Sequence, residues 1–296
     1  MNKNYNMLLK IQGSLIGLAI ADTMGAILEF KEKKFVKNKV VNMPEIVSSD
    51  SIIGKWTDDT SMALCLAQSL IDSKGFNLKD QCDKYINWLN NGYMSSMKNP
   101  YGVGQTILKA LFMYIETKNP ITKLHNNFSA GNGSIMRLAP IPLFFSNDIE
   151  KAIKYSIEQS KATHIDKVCL DACGYMGGIV FGALQGETKE KILSSLYSPL
   201  NNFFDKYNIG EKVFNIAKGS FKEKNENTIK NSGYVIDTLE AALWAFYTTD
   251  NFEDGCIKAI NLCGDADTIG AVYGQIAGAY YGINNIKKEW FDKVYK

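Results

Sequence analysis

Apolar residues recur at intervals of three and four positions over most of the chain, which is the spacing of one face of an α-helix. Runs that alternate with the period of a β-strand are scarce. The pattern therefore predicts an all-α fold. The predicted helices cover about 6–25, 59–73, 78–90, 103–116, 135–145, 149–160, 164–186, 211–219, 233–248, 252–262 and 268–282.

Small residues recur at every fourth position in three of these predicted helices. A glycine inside a helix costs up to about 1 kcal/mol relative to alanine, so each stripe needs a compensating contact. A face without side chains allows a second helix to approach closely. We therefore expect a single compact, orthogonal multi-helix domain in which the striped helices are closely packed. The stripes are Gly13, Gly17, Ala21, Gly25; Gly174, Gly178, Gly182, Gly186; and Gly270, Gly274, Gly278, Gly282.

The composition is consistent with one domain over residues 1–296. Hydrophobic residues make up 46% of the chain, which is enough for a large core. The irregular stretches 26–56, 117–134 and 196–232 lack the composition of a domain linker. The 33 basic and 31 acidic residues nearly cancel to +2, so no overall field favours nucleic acid or membrane. The basic run 31–39 is predicted to be a solvated loop.

The six cysteines lie in apolar or helical patterns and form no CxxC pair. Such thiols are typical of reduced core residues and predict a cytoplasmic protein. The first residues lack the features of a signal peptide. The uncharged run 268–286 approaches membrane-spanning length but contains Gln275, two asparagines and four glycines, so no membrane partner is expected. We also expect a monomer.

Two acidic clusters of similar composition each precede an apolar helical run. They are Thr57, Asp58 and Asp59 in WTDDTS, and Asp265, Asp267 and Thr268 in GDADT. Each could be an ordinary acidic helix N-cap, because the helix dipole favours negative charge there. If the two N-termini meet, four carboxylates and two hydroxyls converge, and they would repel one another without cations.

Oxygen ligands of this kind select the hard ions Mg²⁺, Mn²⁺ or Ca²⁺, and two ions about 4 Å apart would fit. Zinc is not expected, because the sequence has only His125 and His164 and no metal-like cysteine spacing.

Two further acids, Asp22 and Glu29, lie at the end of the first predicted helix, just before the basic run 31–39. A glutamate beside a mobile loop is a candidate general acid or base. A helix-terminal surface glutamate is the alternative interpretation.

Taken together, these segments resemble the ADP-ribosylglycohydrolase family, in particular its bacterial dinitrogenase-reductase-activating branch. The resemblance covers nearly the whole chain in order: GSLIGLAIADTMGAILEF, WTDDTSMAL, SAGNGSIMRLAPIPL, THIDKVCLDACGYMGGIVFGAL, SGYVIDTLEAALWAF and GDADTIGAVYGQIAGAYYG. It implies an all-α domain with a dinuclear Mg²⁺ or Mn²⁺ centre that hydrolyses the glycosidic bond between ADP-ribose and a modified group.

The resemblance also implies roles for individual residues. Glu29, Asp59 and Asp267 become the candidate catalytic residues, with Asp267 as the bridge between ions. Asp22 is expected to support the site rather than to bind metal, because the family commonly has Gly-Asp where this chain has Ala21-Asp22. The implied metal ligands are Thr57, Asp58, Asp59, Asp265, Asp267 and Thr268.

A loop for the pyrophosphate and distal ribose is implied at Ser129, Ala130, Gly131, Asn132, Gly133 and Ser134. Glycines allow close backbone approach, and a helix predicted from about 135 would offer amide donors to an anion. An ordinary turn is the alternative. His164 is either a contact to the ligand or a core residue. Arg137 is either a phosphate partner or a buried structural arginine. Gly102 lies in a segment that resembles the pocket rim of the family.

The expected substrate is a protein that carries ADP-ribosyl-arginine, and the expected product is ADP-ribose, so the reaction would reverse mono-ADP-ribosylation. Serine-linked, nucleic-acid-linked or small-molecule ADP-ribose stays an alternative. A non-catalytic family member that binds ADP-ribose is an alternative of another class, and the intact acidic positions argue against it. A dinuclear phosphoesterase is disfavoured, because the His-Asp pattern usual for such enzymes is missing.

Overall fold

The computed structural model describes residues 3–44, 53–124 and 130–294. Over these residues the chain forms one compact all-α domain, as predicted, with fourteen α-helices and no β-strand. The helices are α1 (Lys3–Gly25), α2 (Asp58–Asp72), α3 (Leu78–Asn91), α4 (Gln105–Thr117), α5 (Pro140–Phe144), α6 (Ile149–Ser160), α7 (Lys167–Leu184), α8 (Lys189–Ile192), α9 (Phe203–Lys206), α10 (Glu211–Lys218), α11 (Val235–Tyr247), α12 (Phe252–Ile260), α13 (Ala266–Tyr281) and α14 (Lys288–Lys293).

The long periodic segments form the predicted helices with small differences at their ends. Three short 3₁₀ helices, at Lys33–Phe35, Ser220–Glu223 and Ile283–Asn285, lie in connecting segments. The sequence did not predict α8, α9 or α14, because helices of four to six residues are too short to show a helical period.

The predicted helix over 135–145 is wrong in its first half. The chain there forms a turn, and α5 begins at Pro140, which has no N–H to continue an uninterrupted helical ladder. The side chain of Gln275 on α13 satisfies the freed groups. Its amide nitrogen donates to the Met136 carbonyl at 2.6 Å, and its oxygen accepts from Ala139 N at 2.7 Å.

Helices α1 and α13 pack against each other in antiparallel directions through their glycine stripes. A methyl group on Gly278 would lie 2.0 Å from the Gly13 carbonyl oxygen, and one on Gly274 would lie 2.2 Å from the Gly17 oxygen. These separations are below any van der Waals contact, so alanine cannot replace either residue without moving a backbone. The prediction of closely packed striped helices is confirmed for this pair.

The stripe on α7 has a different environment. A methyl group on Gly182 would meet the Tyr197 hydroxyl, and one on Gly178 would lie 3.3 Å from a ring carbon of Pro199. The expected close approach of a second helix holds at Gly174, where a methyl group would lie 3.0 Å from Ile157 of α6, but not at Gly178 and Gly182, where the missing side chains make room for bulky residues of a connecting segment.

Two helices within the described part of the chain, α1 and α7, are long and apolar enough to cross a membrane by length and composition alone. The share of the apolar stretch that is buried inside the fold is 56% in α1 and 83% in α7. The core helices of globular proteins pass the same test. The run 268–286, which the sequence pattern singled out, contributes to the 16-residue helix α13, and that is shorter than a bilayer requires.

One core cluster includes most of the buried side chains of α7, α11 and α13, and a second lies among α2, α3 and α4. Helix α2 contributes to both, with Ala63 in the first cluster and Met62 in the second. The packing therefore holds the N-terminus of α2 firmly beside the first cluster, where α1 and α13 lie in contact.

Candidate active site

The N-termini of α2 and α13 meet the C-terminal end of α1. Asp22, Asp59 and Asp267 are buried there, and one carboxylate oxygen of each lies within 4.8 Å of the others. The contact between α1 and α13 extends to this point, since a methyl group on Gly25 would lie 2.5 Å from the Asp267 Cα. The two acidic clusters and the end of α1 therefore form one site.

The hydroxyl groups of two threonines, one from each acidic cluster, both lie near the Asp59 carboxylate. Thr57 caps α2, and its hydroxyl lies 3.1 Å from Asp59 Oδ2. Thr268, in the first turn of α13, directs its hydroxyl to the same Asp59 oxygen at 3.5 Å. The other Asp59 oxygen, Oδ1, is buried and has no hydrogen-bond partner. A buried carboxylate oxygen without a donor calls for a cation.

Asp22 accepts hydrogen bonds from the first turn of α2. Thr57 donates from its hydroxyl at 2.8 Å and from its backbone N–H at 3.1 Å. Thr60 donates from its hydroxyl at 2.5 Å and from its N–H at 3.1 Å. With the Thr57 proton directed to Asp22 and one lone pair accepting from Asp59 N in the helix cap, one lone pair of that hydroxyl is left to face the site. This geometry agrees with the expected supporting role of Asp22.

The buried carboxylates disfavour each other's charge. Burial, and then the neighbouring acids, raise the pKa values of Asp58, Asp59 and Asp267 well above the ordinary range. Burial also raises the pKa of Asp22 to about 6, although the threonine hydrogen bonds oppose the shift. Oxygen donors held together against their repulsion fit hard divalent ions. The donor set and the orphaned Asp59 oxygen are therefore suited to such a metal centre.

Glu29 lies on a turn that is tied to the start of α13. Phe30 N donates to the Gly264 carbonyl at 2.7 Å, and Gly264 N donates to the Lys31 carbonyl at 3.0 Å. Glu29 itself is half-buried, and burial followed by the charge of Asp265 raises its pKa to about 7. If the predicted loop moves, it must either break these two hydrogen bonds or bend at residues after Lys31. Residues 45–52, farther along that loop, lie outside the described residues.

A cavity of about 280 Å³ opens above the acids, and most of the predicted site residues line it. Gly102 forms part of its wall with a φ of +82°, and a methyl group there would lie 2.8 Å from Asp58 Oδ1. The predicted residues on the lining are Glu29, Asp58, Gly102, Gly131, Asn132, Gly133, His164, Asp265, Asp267 and Thr268. Asp59, like Asp22, lies in the buried acid cluster without contributing to the lining.

The loop after residue 129 is fixed against the segment before α11. Gly131 and Tyr234 form an isolated antiparallel bridge, and Asn132 N donates to the Gly233 carbonyl at 3.1 Å. The Asn132 amide nitrogen also donates to Asp265 Oδ2 at 2.7 Å. The predicted substrate loop is therefore bonded directly to a residue of the acid cluster.

His164 presents an uncharged ring to this loop. Burial, with a smaller effect from Arg137, lowers its pKa to about 3. Arg137 donates to the Thr163 hydroxyl at 2.9 Å, and that hydroxyl lies 2.8 Å from His164 Nδ1. Thr163 can then donate to Nδ1, which leaves the proton of the neutral ring on Nε2. A methyl group on Gly131 would lie 3.3 Å from Nε2, so this N–H faces the loop.

A family model of the ADP-ribosylglycohydrolases matches residues 4–296. The chain belongs to this family. It is 38% identical to the "ADP-ribosylarginine hydrolase Tri1" of Serratia proteamaculans (strain 568), over 96% of this chain and 75% of that protein. It is 27% identical to the "ADP-ribosyl-[dinitrogen reductase] glycohydrolase" of Rhodospirillum rubrum, over 95% of this chain and 89% of that protein.

A solved structure described as "ADP-ribosylglycohydrolase-related protein complex" superposes with a TM-score of 0.81 at 35% identity, covering 98% of this chain and 93% of that one. The predicted family and the all-α fold are confirmed, and this chain is an ADP-ribosylglycohydrolase, a hydrolase of a glycosidic bond.

Some residues predicted to bind substrate in this ADP-ribosylglycohydrolase lie away from the cavity. Ser134 is fully buried, and its hydroxyl accepts from Cys173 Sγ at 3.4 Å. Ala130 lines a neighbouring surface cavity instead. Arg137 is fully buried among Gln159, Thr163 and the Tyr85 ring, so it is the structural arginine of the two alternatives and not a phosphate partner. Ser129 lies outside the described residues.

Three features of the site were not predicted. Thr60 donates to Asp22, and its position one residue after TDD could have suggested a polar first turn of α2. Gln105 at the N-terminus of α4 also lines the cavity, next to Gly104, which belongs to the segment that resembles the pocket rim. Phe30 lines it beside Glu29, and the sequence gives no indication that this aromatic residue is exposed.

Proposed function

We propose that this ADP-ribosylglycohydrolase hydrolyses the N-glycosidic bond between ADP-ribose and an arginine side chain of a modified protein, in a reaction that depends on two Mg²⁺ or Mn²⁺ ions. The observation that carries the proposal is the convergence of buried carboxylates from α1, α2 and α13 beneath one cavity. The arginine linkage is supported by the names of two relatives, at 38% and 34% identity, both called ADP-ribosylarginine hydrolase.

Six oxygen-bearing residues would hold the ions, namely Thr57, Asp58, Asp59, Asp265, Asp267 and Thr268. When bound, the ions would supply positive charge that holds the ribose hydroxyls and lowers the pKa of a water molecule. Asp22 keeps the Thr57 hydroxyl turned toward the site, and Asn132 keeps one Asp265 oxygen in place.

Hydrolysis forms a bond from the water oxygen to the anomeric carbon and breaks the bond from that carbon to the guanidine nitrogen. One proton leaves the water and one reaches the departing nitrogen. Glu29 is suited to this transfer because it lines the cavity beside Asp265, and in the metal-free protein burial raises its pKa to about 7. Asp59 and Asp267, at the centre of the acid cluster, complete the proposed catalytic set with Glu29.

The far wall of the cavity would bind the pyrophosphate and its ribose. Gly131 and Gly133 have no side chains to obstruct a ligand, and methyl groups there would come within 3.3 Å and 2.7 Å of the His164 ring. The Nε2–H of His164 is a neutral donor for a phosphate or hydroxyl oxygen. Gly102, next to Asp58, and Asn132, bonded to Asp265, would bind the substrate closer to the acids.

Release of free ADP-ribose from an arginine-ADP-ribosylated protein tests the proposal. The assay would compare Mg²⁺, Mn²⁺ and EDTA, with serine-linked and nucleic-acid-linked ADP-ribose as parallel substrates and Asp267→Asn as a variant of similar shape. Metal-dependent release from arginine alone is the expected result. Release from another linkage alone would replace the arginine assignment, and no release by folded, metal-loaded protein would favour the non-catalytic alternative.

The six cysteines all lie buried among the described residues and form no disulfide, which agrees with a reducing environment, and we propose a cytoplasmic location on that basis. The predicted monomer stays a prediction.

A further inference from the structure

Phe30 combines two unfavourable features at the rim of the cavity. Its side chain is 82% exposed, and its backbone φ is +57°, in a region that residues other than glycine avoid. The core gains nothing from this ring. Lys74, Met94 and Lys118 also have a positive φ, but Phe30 in addition lines the cavity with an exposed aromatic ring, and this combination indicates a ligand for Phe30.

The ring lies at the end of the cavity where the acids converge. Glu29, the proposed acid-base group, directly precedes Phe30 and lines the same cavity. The backbone bond from Phe30 N to the Gly264 carbonyl holds the residue next to Asp265. His164 and the loop at Gly131 form a different part of the wall. Phe30 is therefore beside the groups that act on the scissile bond.

We propose that Phe30 stacks on the guanidinium group of the modified arginine and thereby selects arginine-linked substrates. The inference rests on the proposed function, because it requires an arginine leaving group. A guanidinium is planar, cationic and weakly hydrated, and it stacks on aromatic faces. A serine leaving group has neither the charge nor the plane. The carboxylate of Glu29 supplies complementary charge on the same turn.

Adenine is the other planar group of the substrate that could stack on an aromatic ring. The two occupants differ in a measurable way. If the ring binds adenine, its loss weakens binding of the product ADP-ribose, which contains adenine and no guanidinium. If the ring binds guanidinium, its loss weakens only substrates that carry arginine.

The test uses Phe30→Leu and Phe30→Trp in the full-length protein. Leucine keeps the apolar character and the same backbone constraint but removes the aromatic face, and tryptophan restores a face. Phe35→Leu is the matched control, because Phe35 is 70% exposed in the next stretch of chain and does not line the cavity. The readouts are KM and kcat for an arginine-ADP-ribosylated peptide, and the inhibition constant of ADP-ribose.

We expect Phe30→Leu to raise KM for the arginine-linked peptide on the order of 2- to 30-fold, with little change in kcat or in inhibition by ADP-ribose. Phe30→Trp should recover most of the loss, and Phe35→Leu should behave as wild type. An equal weakening of peptide and ADP-ribose would assign the ring to adenine and overturn the proposal. Unchanged kinetics in Phe30→Leu would overturn it as well.

Wild-type protein that releases nothing from the arginine-linked peptide would instead contradict the proposed function, and the guanidinium assignment would fall with it. The wild-type and Phe30→Leu measurements thus separate the two failures.

Discussion

The Asn132 amide nitrogen donates to the Asp265 carboxylate at 2.7 Å, although the two residues lie 133 positions apart in the chain. The same amide group donates to the Thr238 hydroxyl at 2.9 Å. One amide proton therefore holds Asp265 and the other anchors the Asn132 side chain to α11, so the amide group links the cavity loop to the acid cluster. Asn132 is a positioning residue for the proposed metal centre as well as a wall of the substrate cavity.

Replacing Asn132 should therefore weaken metal binding. Removing a residue that orients a ligand typically lowers affinity on the order of 10- to 100-fold, and we expect a loss in this range for Asn132→Ala. Titration calorimetry with Mn²⁺ measures it. Asn91→Ala, on the exposed end of α3, provides the control. Unchanged Mn²⁺ affinity combined with lost activity would restrict Asn132 to substrate binding.

Asp22→Asn tests whether Asp22 supports the site through the first turn of α2. An asparagine of the same shape offers one acceptor where the carboxylate serves four donors from Thr57 and Thr60. We expect Mn²⁺ affinity to fall on the order of tenfold or more, and the Mn²⁺-induced rise in Tm to shrink. A variant with the full Mn²⁺-induced rise in Tm would show that Asp22 is dispensable for the metal centre.

The metal-free protein should lose stability as pH rises. The pKa of Asp22 is raised to about 6 and that of Glu29 to about 7, whereas unfolded carboxyl groups titrate near 4. The folded state therefore binds more protons between about pH 4 and pH 7, and the free energy of unfolding falls with pH across that interval. Each unit of difference in pKa corresponds to about 1.4 kcal/mol.

Urea unfolding at pH 5 and pH 8, in EDTA and in Mn²⁺, measures this effect. The stabilisation by Mn²⁺ should be larger at pH 8, where the carboxylates are ionised. Surface ion pairs contribute equally to the free energy of unfolding with and without Mn²⁺. The difference between the EDTA and Mn²⁺ series therefore reports the contribution of the acid cluster. Equal stabilisation at both pH values would contradict the prediction.

Glu29→Gln should lower kcat on the order of 10²- to 10⁴-fold, because the amide cannot transfer a proton. Mn²⁺ affinity should change little, since Glu29 is not among the six residues proposed to hold the ions. Single-turnover release of ADP-ribose, together with Mn²⁺ titration, separates the two effects. A large loss of Mn²⁺ affinity would make Glu29 a metal ligand.

The glycine contact between α1 and α13 predicts a contrast between two similar substitutions. Gly278→Ala would place its methyl group 2.0 Å from a backbone oxygen, and we expect a loss of stability of about 1–3 kcal/mol. Gly178→Ala belongs to the stripe on α7, where the nearest atom is a proline ring carbon at 3.3 Å, so its effect should be smaller. Equal losses in urea unfolding would contradict the helix contact.

Most of the fold followed from the sequence because helical periodicity and the glycine stripes are local patterns. The convergence of Asp59 and Asp267 was also foreseeable, since similar acid clusters at two helix N-termini suggest one shared site. The turn before Pro140 was not, because a glutamine on a distant helix replaces its hydrogen bonds. The bond from Asn132 to Asp265 and the exposure of Phe30 likewise depend on tertiary packing.

The contact of Gly13 with Gly278 also determines when the acid cluster can assemble during translation. Helix α1 is translated before α13, and the backbone that packs against its glycine face follows only after some 260 further residues. Until then its glycine face stays open, and Asp22 has no Asp267 beside it. The nascent enzyme therefore cannot assemble its acid cluster, or bind metal there, before α13 has been made.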